Sequence, residues 1–279
     1  MYTGEDQGAY FAAMGNAAEA EAMASMNAAA EANIQAELSK LELFDNYLFH
    51  PSMLGQIMTG SKDKSDLLGE TCKTALLACY IEKVYGRSKE IMNKYMEKGL
   101  QVEEDSLTLY SLCTKTFHAK NKEQFTNDFF IGTPDIIDGK IIIDIKSSWD
   151  IHTFHKVLVS PLNKAYFFQG QAYLDLLDAD TFKLAYCLVN TPEVMINDAK
   201  RKLLWNMGVT TEDNEDYQEA CKQLELEMTF DDIPREKRYI EFTIERDQKA
   251  IDQAHEKIKL CRNFLNRLTG VEQFERAVA

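Results

Sequence analysis

The sequence predicts an α/β fold, and three observations carry that prediction. First, the stretch 129–148 holds two apolar, β-branched runs joined by an Asp-Gly pair at 138–139, the dipeptide that most strongly favours a tight hairpin turn. Second, the runs 182–189 and 239–244 have the composition of two further strands. Third, helical stretches separate these strands. The clearest is 246–268, where apolar residues recur at spacings of three and four.

Composition bounds the class of protein. The 279 residues carry a formal net charge of −14. No apolar run approaches the length of a membrane span, and the N-terminus lacks the basic-then-apolar pattern of a secretory signal, so we expect a cytoplasmic protein with no membrane partner. Six scattered cysteines with no C-x-x-C pair are typical of reduced thiols, and no iron–sulfur cluster is expected.

The N-terminal 38 residues differ from the rest of the chain. They are rich in Ala, Glu, Met and Asn and contain almost no large apolar residue before Ile34. Such a segment has helix propensity but little surface to bury, which predicts a weakly docked helix or a tail. The alternative is an arm that binds a partner. We expect residues 39–279 to form a single domain that ends in the long C-terminal helix.

Helical patterns fill most of the remaining chain. His50-Pro51-Ser52 has the form of a helix start, and a plain capped core helix is the simplest interpretation of it. Further helices are predicted over 67–85, ended by Gly86, and over 88–112, 162–177, 200–208 and 217–228. The segment 117–128 is polar and leads into the hairpin.

The hairpin also carries charged side chains in an apolar setting. Asp144 and Lys146 lie two residues apart, so a strand places them on one face, and the turn can bring Asp135 alongside. Two carboxylates and an ammonium group on a buried surface are costly unless they are paired or bind a metal. The plainer alternative is a structural hairpin with a surface ion pair.

Two helices contribute further candidates. On the predicted helix 88–112, the neighbours of Glu103 at spacings of three and four are mostly apolar, whereas those of Glu104 are mostly polar. Glu103 is therefore expected on the inward face, although a partly exposed glutamate on a mixed helix remains an alternative. On the helix 162–177, Gln169 and Tyr173 are four residues apart and share one face.

These residues, taken in order, resemble the motifs of a known superfamily. Gly99-x-x-x-Glu103, Pro134-Asp135, Asp144-Ile145-Lys146 and Gln169-x-x-x-Tyr173 are similar to the motifs of the PD-(D/E)XK nucleases. Within that superfamily the chain looks closest to the viral YqaJ-type, lambda-exonuclease-like (RecB-like) recombination exonucleases. The resemblance spans roughly residues 50 to 190. It implies a restriction-endonuclease-like core, in which a mixed central sheet is flanked by helices.

The resemblance also implies roles for individual residues. Glu103, Asp135, Asp144 and the backbone carbonyl of Ile145 would hold one or two Mg²⁺ or Mn²⁺ ions, and Lys146 would orient and activate the attacking water. Gln169 and Tyr173 would order the cleft and contact DNA, and Ser52 would lie near the phosphates. Hard oxygen ligands suit Mg²⁺, and a metal beside a phosphodiester neutralises developing charge.

The implied function is metal-dependent hydrolysis of DNA. Family members resect linear double-stranded DNA from its ends for viral recombination or repair, act with a single-strand annealing protein, and form rings, so a homo-oligomer is implied. The net charge of −14 requires positive charge to be gathered locally, because phosphate contacts need Lys and Arg. Three alternatives stay open: an endonuclease of restriction or junction-resolving type, a non-catalytic DNA- or partner-binding protein with this fold, and a monomer with one open cleft.

Overall fold

The structure is a computed structural model that describes residues 25–26, 43–62, 66–88 and 93–271. Residues 48–261 form one compact unit. The second unit joins 1–47 to 262–279, and its described residues are 25–26, 43–47 and 262–271. In this second unit Arg262 donates to the Tyr47 carbonyl, and Asn266 accepts from the Phe44 amide. The predicted segment 1–38 lies outside the described residues except at 25–26.

A mixed sheet lies at the centre of the 48–261 unit. Its strand order is β3-β4-β5-β6, in which β4 and β5 are parallel and the two outer pairings are antiparallel. A separate two-stranded sheet pairs β1 with β2. The strands are β1 (Phe125–Thr126), β2 (Ile131–Gly132), β3 (Ile136–Asp138), β4 (Ile141–Ser147), β5 (Thr181–Cys187) and β6 (Tyr239–Glu245).

Helices cover both faces of this sheet. They are α1 (Leu54–Ile57), α2 (Glu70–Tyr85), α3 (Lys94–Gln101), α4 (Glu103–Thr114), α5 (Ile151–Val159), α6 (Lys164–Leu176), α7 (Glu193–Asn206), α8 (Glu215–Met228) and α9 (Gln248–Val271). Leu109 and Tyr110 of α4 pack with Ile143 and Cys187 on one face. On the other face α6 approaches so closely that a Cβ on Gly170 would lie 2.6 Å from the Phe182 ring.

Several sequence predictions are confirmed. The α/β class with a mixed central sheet is present, and the hairpin turns where predicted, with Gly139 at φ +60°. That left-handed conformation suits glycine, which explains the Asp-Gly signal. Helix α2 ends at Gly86, which also has a positive φ. In α9 the predicted apolar stripe is buried from Ile251 to Leu265. No helix within the described ranges is long and apolar enough to cross a membrane.

Several element boundaries were predicted wrongly, among them those of the helix predicted over 200–208, which is α7 and runs from Glu193 to Asn206. The stretch 88–112 is not one helix, because α3 and α4 are separated at Val102, whose buried side chain and φ of −106° end the first helix. The stretch 129–137 is not one strand either. Pro134 has no amide hydrogen to donate, and the chain leaves β2 at Gly132 and enters β3 only at Ile136.

Candidate active site

Strand β4 positions the central acid and base. Asp144 and Lys146 lie on the same face, as their spacing predicts, and Asp144 is only 4% exposed. The Lys146 Nζ lies 2.7 Å from Asp144 Oδ2. Burial by itself would lower the pKa of Lys146, but the carboxylates of Asp144 and Asp135 outweigh it and raise that pKa. The ammonium is therefore held by the acids beside it.

The two oxygens of Asp144 have different surroundings. Oδ1 accepts a hydrogen bond of 2.9 Å from Gln169 Nε2, since α6 lies directly over this face of the sheet. Oδ2 is buried and has no hydrogen bond among the described residues. Its partner is the Lys146 ammonium, with which it forms an ion pair. A buried carboxylate oxygen needs a positive charge beside it, which the Lys146 ammonium supplies here and which a bound metal ion would also supply.

Asp135 reaches the same place from the loop before β3. Its Oδ2 accepts a hydrogen bond of 2.8 Å from the Ile145 amide, which locks the loop to the middle of β4. Burial, followed by the nearby charge of Asp144, raises the pKa of Asp135 to about 6. Two carboxylates this close repel each other, and a cation between them would relieve that repulsion.

Glu103 is the first residue of α4 and lines the same cavity as Asp135 and Lys146. Its carboxylate forms an ion pair with Lys120, which lies in the loop after the helix. Glu104 is exposed and lines a different depression. The structure thus places Glu103, and not Glu104, at the cavity, although the break at Val102 and not a continuous helix face turns it inward.

The other candidate residues lie beneath or beside this group. Tyr173 is buried, and its hydroxyl donates to the Thr133 carbonyl at 3.2 Å, so it supports the loop that carries Asp135. Burial raises the pKa of Tyr173. Gln169 is likewise buried under Asp144. Ser52 is exposed in a 3-10 turn, outside the set of described residues that line the cavity.

The cavity over these residues has a volume of about 610 Å³. Beyond the candidate acids, its wall includes four aromatic residues that sequence reasoning missed: Tyr95, Trp149, Tyr166 and Tyr186. Lys120 was missed too. Trp149 lies only three residues after Lys146, which was an available signal, whereas nothing in the sequence links Lys120 to Glu103.

The donor set fits a hard divalent cation. Glu103, Asp135 and Ile145 line the cavity, and Asp144, whose Oδ2 is paired with Lys146, lies buried beside them. In the arrangement described, lysine ammonium groups neutralise two of the three acids. Within the described ranges, no three His, Cys, Asp or Glu side chains are grouped closely enough to hold a metal ion. A cation bound here would contact the Asp144 carboxylate alongside Lys146. Glu103 would have to give up its ion pair with Lys120 to bind the same cation.

No protein-family model and no curated protein matches this chain. Among solved structures, it superposes on a phage-related exonuclease from Haemophilus somnus 129PT with a TM-score of 0.64 at 25% identity, over 81% of this chain and 96% of that one. An alkaline exonuclease from Laribacter hongkongensis gives a TM-score of 0.54 at 13% identity, over 83% and 94%. The same exonuclease has been solved in complex with dAMP, and that structure gives 0.53 at 15% identity, over 80% and 90%.

At 13–15% identity, the Laribacter comparisons show the fold alone. The Haemophilus structure, at 25% identity, bears out the predicted superfamily. The chain has the PD-(D/E)XK nuclease fold and resembles the phage-related and alkaline exonucleases within it. These similarities support the interpretation of this chain as a nuclease.

Proposed function

We propose, on the premise of this nuclease fold, that the chain is a metal-dependent deoxyribonuclease and that it acts as an exonuclease on the ends of linear double-stranded DNA, for viral recombination or repair. One observation carries the proposal. Asp144 and Lys146 share a strand face, and the cavity beside them is lined by Asp135 and Glu103. This set of acids and a lysine is suited to phosphodiester hydrolysis.

Each residue has a part in that reaction. Glu103, Asp135, Asp144 and the Ile145 carbonyl would hold Mg²⁺ or Mn²⁺, which when bound neutralises charge on the phosphate and acidifies water. The Gln169 amide holds one oxygen of Asp144, so that the other, which pairs with Lys146, would remain available to a bound cation. The Ile145 amide orients Asp135 in the same way. Lys146 orients the attacking water and donates toward the oxygens of the phosphate.

Digestion of linear and covalently closed circular duplexes of the same sequence would test this proposal. With Mg²⁺ present, we expect release of nucleotides from the linear duplex and no cleavage of the circle. EDTA and the Asp144→Asn variant should both abolish release. Nicking of the circle would favour an endonuclease of restriction or junction-resolving type. Binding of DNA without cleavage under Mg²⁺ and Mn²⁺ would favour a non-catalytic protein.

We also propose a homo-oligomer, with a ring as its simplest form. A chain of net charge −14 repels DNA on average, and a channel between several copies would gather Lys and Arg where the duplex passes. Light scattering tests this directly. A 31.9 kDa species that still degrades long duplexes processively would overturn the ring. A single-strand annealing protein would be the expected partner, because resection exposes its substrate.

A further inference from the structure

Two aromatic rings form one wall of the proposed nuclease cavity. Tyr95 lies in the first turn of α3, and Trp149 lies in the turn between β4 and α5. Their ring centroids are 4.9 Å apart at an interplanar angle of 73°, and Tyr95 is 55% exposed. Both residues line the cavity that holds Glu103, Asp135 and Lys146. An open aromatic pair beside acids and a lysine is not explained by core packing.

Positive charge lies against the same rings. The Lys94 Nζ is 4.9 Å from the centroid of the Trp149 ring and 5.1 Å from that of Tyr95. Across the cavity, the Lys146 Nζ is 5.5 Å from the Tyr166 ring. An exposed aromatic ring with adjacent ammonium groups matches a nucleotide, which presents a flat base on one side and a phosphate on the other.

A buried lysine fixes the position of this wall. Lys98 of α3 is 1% exposed, and its Nζ donates to the Trp149 carbonyl at 2.8 Å. The same ammonium lies 5.7 Å from the Trp149 ring and 5.5 Å from the Phe230 ring. Burying an ammonium group is costly, and here the cost is offset by a bond that ties α3 to the turn after β4. The aromatic pair is therefore held at a fixed place, three residues after Lys146.

We propose that Tyr95 and Trp149 form a base-stacking shelf for an unpaired nucleobase of the strand being cut. The inference rests on the proposed nuclease function and specifies its substrate as a DNA end whose terminal bases are separated. Stacking of an unpaired base on an aromatic ring favours binding of that base and offsets part of the cost of separating a terminal base pair. The enzyme should thus prefer frayed ends to fully paired ends.

Tryptophan fluorescence offers a test that does not depend on cleavage. The chain has two tryptophans, and Trp205 lies 86% exposed on α7, so Trp205→Phe leaves Trp149 as the sole reporter. In EDTA, a short single-stranded oligonucleotide should quench this fluorescence, whereas an abasic oligonucleotide of equal length should not. Tyr95→Ala in this background should weaken binding of the normal oligonucleotide roughly 5- to 100-fold. Equal quenching and equal affinity for both oligonucleotides would overturn the shelf.

Cleavage with Mg²⁺ supplies a second readout. Rates are compared on duplexes whose terminal pairs are either matched or mismatched, for wild type, Tyr95→Ala, Tyr95→Phe and Trp205→Phe. Wild type and Trp205→Phe should both cut the mismatched end faster. Tyr95→Ala should lose that preference, and Tyr95→Phe should keep it because the ring remains. Circular dichroism confirms that each variant is folded.

The shelf and the nuclease assignment fail in distinguishable ways. If wild type cuts DNA and Tyr95→Ala keeps the preference for mismatched ends, the shelf is wrong and the nuclease assignment stands. If wild type cuts no DNA with any divalent metal, the nuclease assignment is wrong. In that case the fluorescence titration still decides whether Tyr95 and Trp149 bind a nucleobase.

Discussion

Two groups of side chains in the candidate site lie at one cavity, but different interactions hold them in place. We call Asp135, Asp144 and Lys146 the strand half, and Tyr95, Glu103 and Trp149 the helix half. The strand half is fixed by the backbone, through the pairing of β4 with β5 and the bond from the Ile145 amide to Asp135. The helix half is fixed by two lysine side chains, Lys120 on Glu103 and Lys98 on the Trp149 carbonyl.

This difference indicates which group of side chains can move more easily. The side chains of Lys120 and Glu103 are 33% and 37% exposed, and ion pairs with that much solvent contribute little to stability. Asp144 sits among buried strand residues and cannot shift without disturbing the sheet. We therefore expect substitutions in the strand half to remove activity outright, and those in the helix half to reduce it or change substrate preference.

The largest effect is expected at Asp144. Asp144→Asn keeps the shape of the side chain and its contact with Gln169 but removes the charge that a cation needs. The variant should lower the rate of Mg²⁺-dependent cleavage by about 10³-fold or more, because it loses several kcal/mol of transition-state stabilisation. Lys146→Ala should have a comparable effect. Initial rates on linear duplex give the comparison.

Asp138→Asn is the matched control, because Asp138 is exposed at the end of β3 and its substitution should leave the rate unchanged. Thermal unfolding should show all three variants folded. A wild-type cleavage rate for Asp144→Asn would show that Asp144 is not part of the active site.

The next effect concerns stability and belongs to the helix half. Burial lowers the pKa of Lys98 from 10.5 to about 8, against the opposing effect of Asp150. Between these pH values the folded chain holds a neutral lysine and the unfolded chain a charged one. The unfolded state therefore binds more protons, and stability should rise with pH through this window by about 3 kcal/mol.

Lys98→Met should remove that rise. The test is therefore the difference in the free energy of unfolding between wild type and Lys98→Met. Urea unfolding at about pH 7 and about pH 10 measures it, because other titrating groups contribute equally to both. Below the window both states carry the charge, and the difference should be constant. A difference that stays constant across the whole range would show that Lys98 does not lose its proton on folding.

The same division explains how much the sequence could predict. The turn at Gly139 and the shared face of Asp144 and Lys146 depend on residues next to each other in the chain, so local pattern was sufficient. The break at Val102 depends on packing against the sheet, and no proline lies there to mark it. Lys98 bonds a carbonyl 51 residues away, a pairing that only the fold creates. Local propensity therefore predicted the strand half better than the helix half.

Comparison of Glu103 with Glu104 tests whether the break at Val102 defines the site. Glu103→Gln should lower the Mg²⁺-dependent rate roughly 10- to 100-fold, less than Asp144→Asn, because Glu103 is half-exposed and water can replace it in part. Glu104→Gln should change the rate less than about twofold, since it faces another surface. A loss confined to Glu104→Gln would mean that α4 is turned differently in the active protein.

The smallest effect separates two roles for Gln169, which is buried under Asp144 and which the family resemblance also associates with DNA contact. If its role is to hold Asp144 Oδ1, Gln169→Leu leaves that oxygen without a donor and raises the cost of the charged carboxylate. The variant should then need about tenfold more Mg²⁺ to reach half its maximal rate, and added Mg²⁺ should restore most of the activity. The KM for DNA should stay near that of wild type.

Gln171→Leu is the control for this last comparison. Gln171 is also a buried amide of α6, but it accepts from the Asp247 amide and donates to the Glu245 carbonyl, away from the acids. Its loss should lower the unfolding temperature without changing the Mg²⁺ requirement. A raised KM for DNA with an unchanged Mg²⁺ requirement in Gln169→Leu would instead assign Gln169 to DNA contact. That result would mean that α6 moves to expose the amide when DNA binds, and the strand half would then be less rigid than its burial indicates.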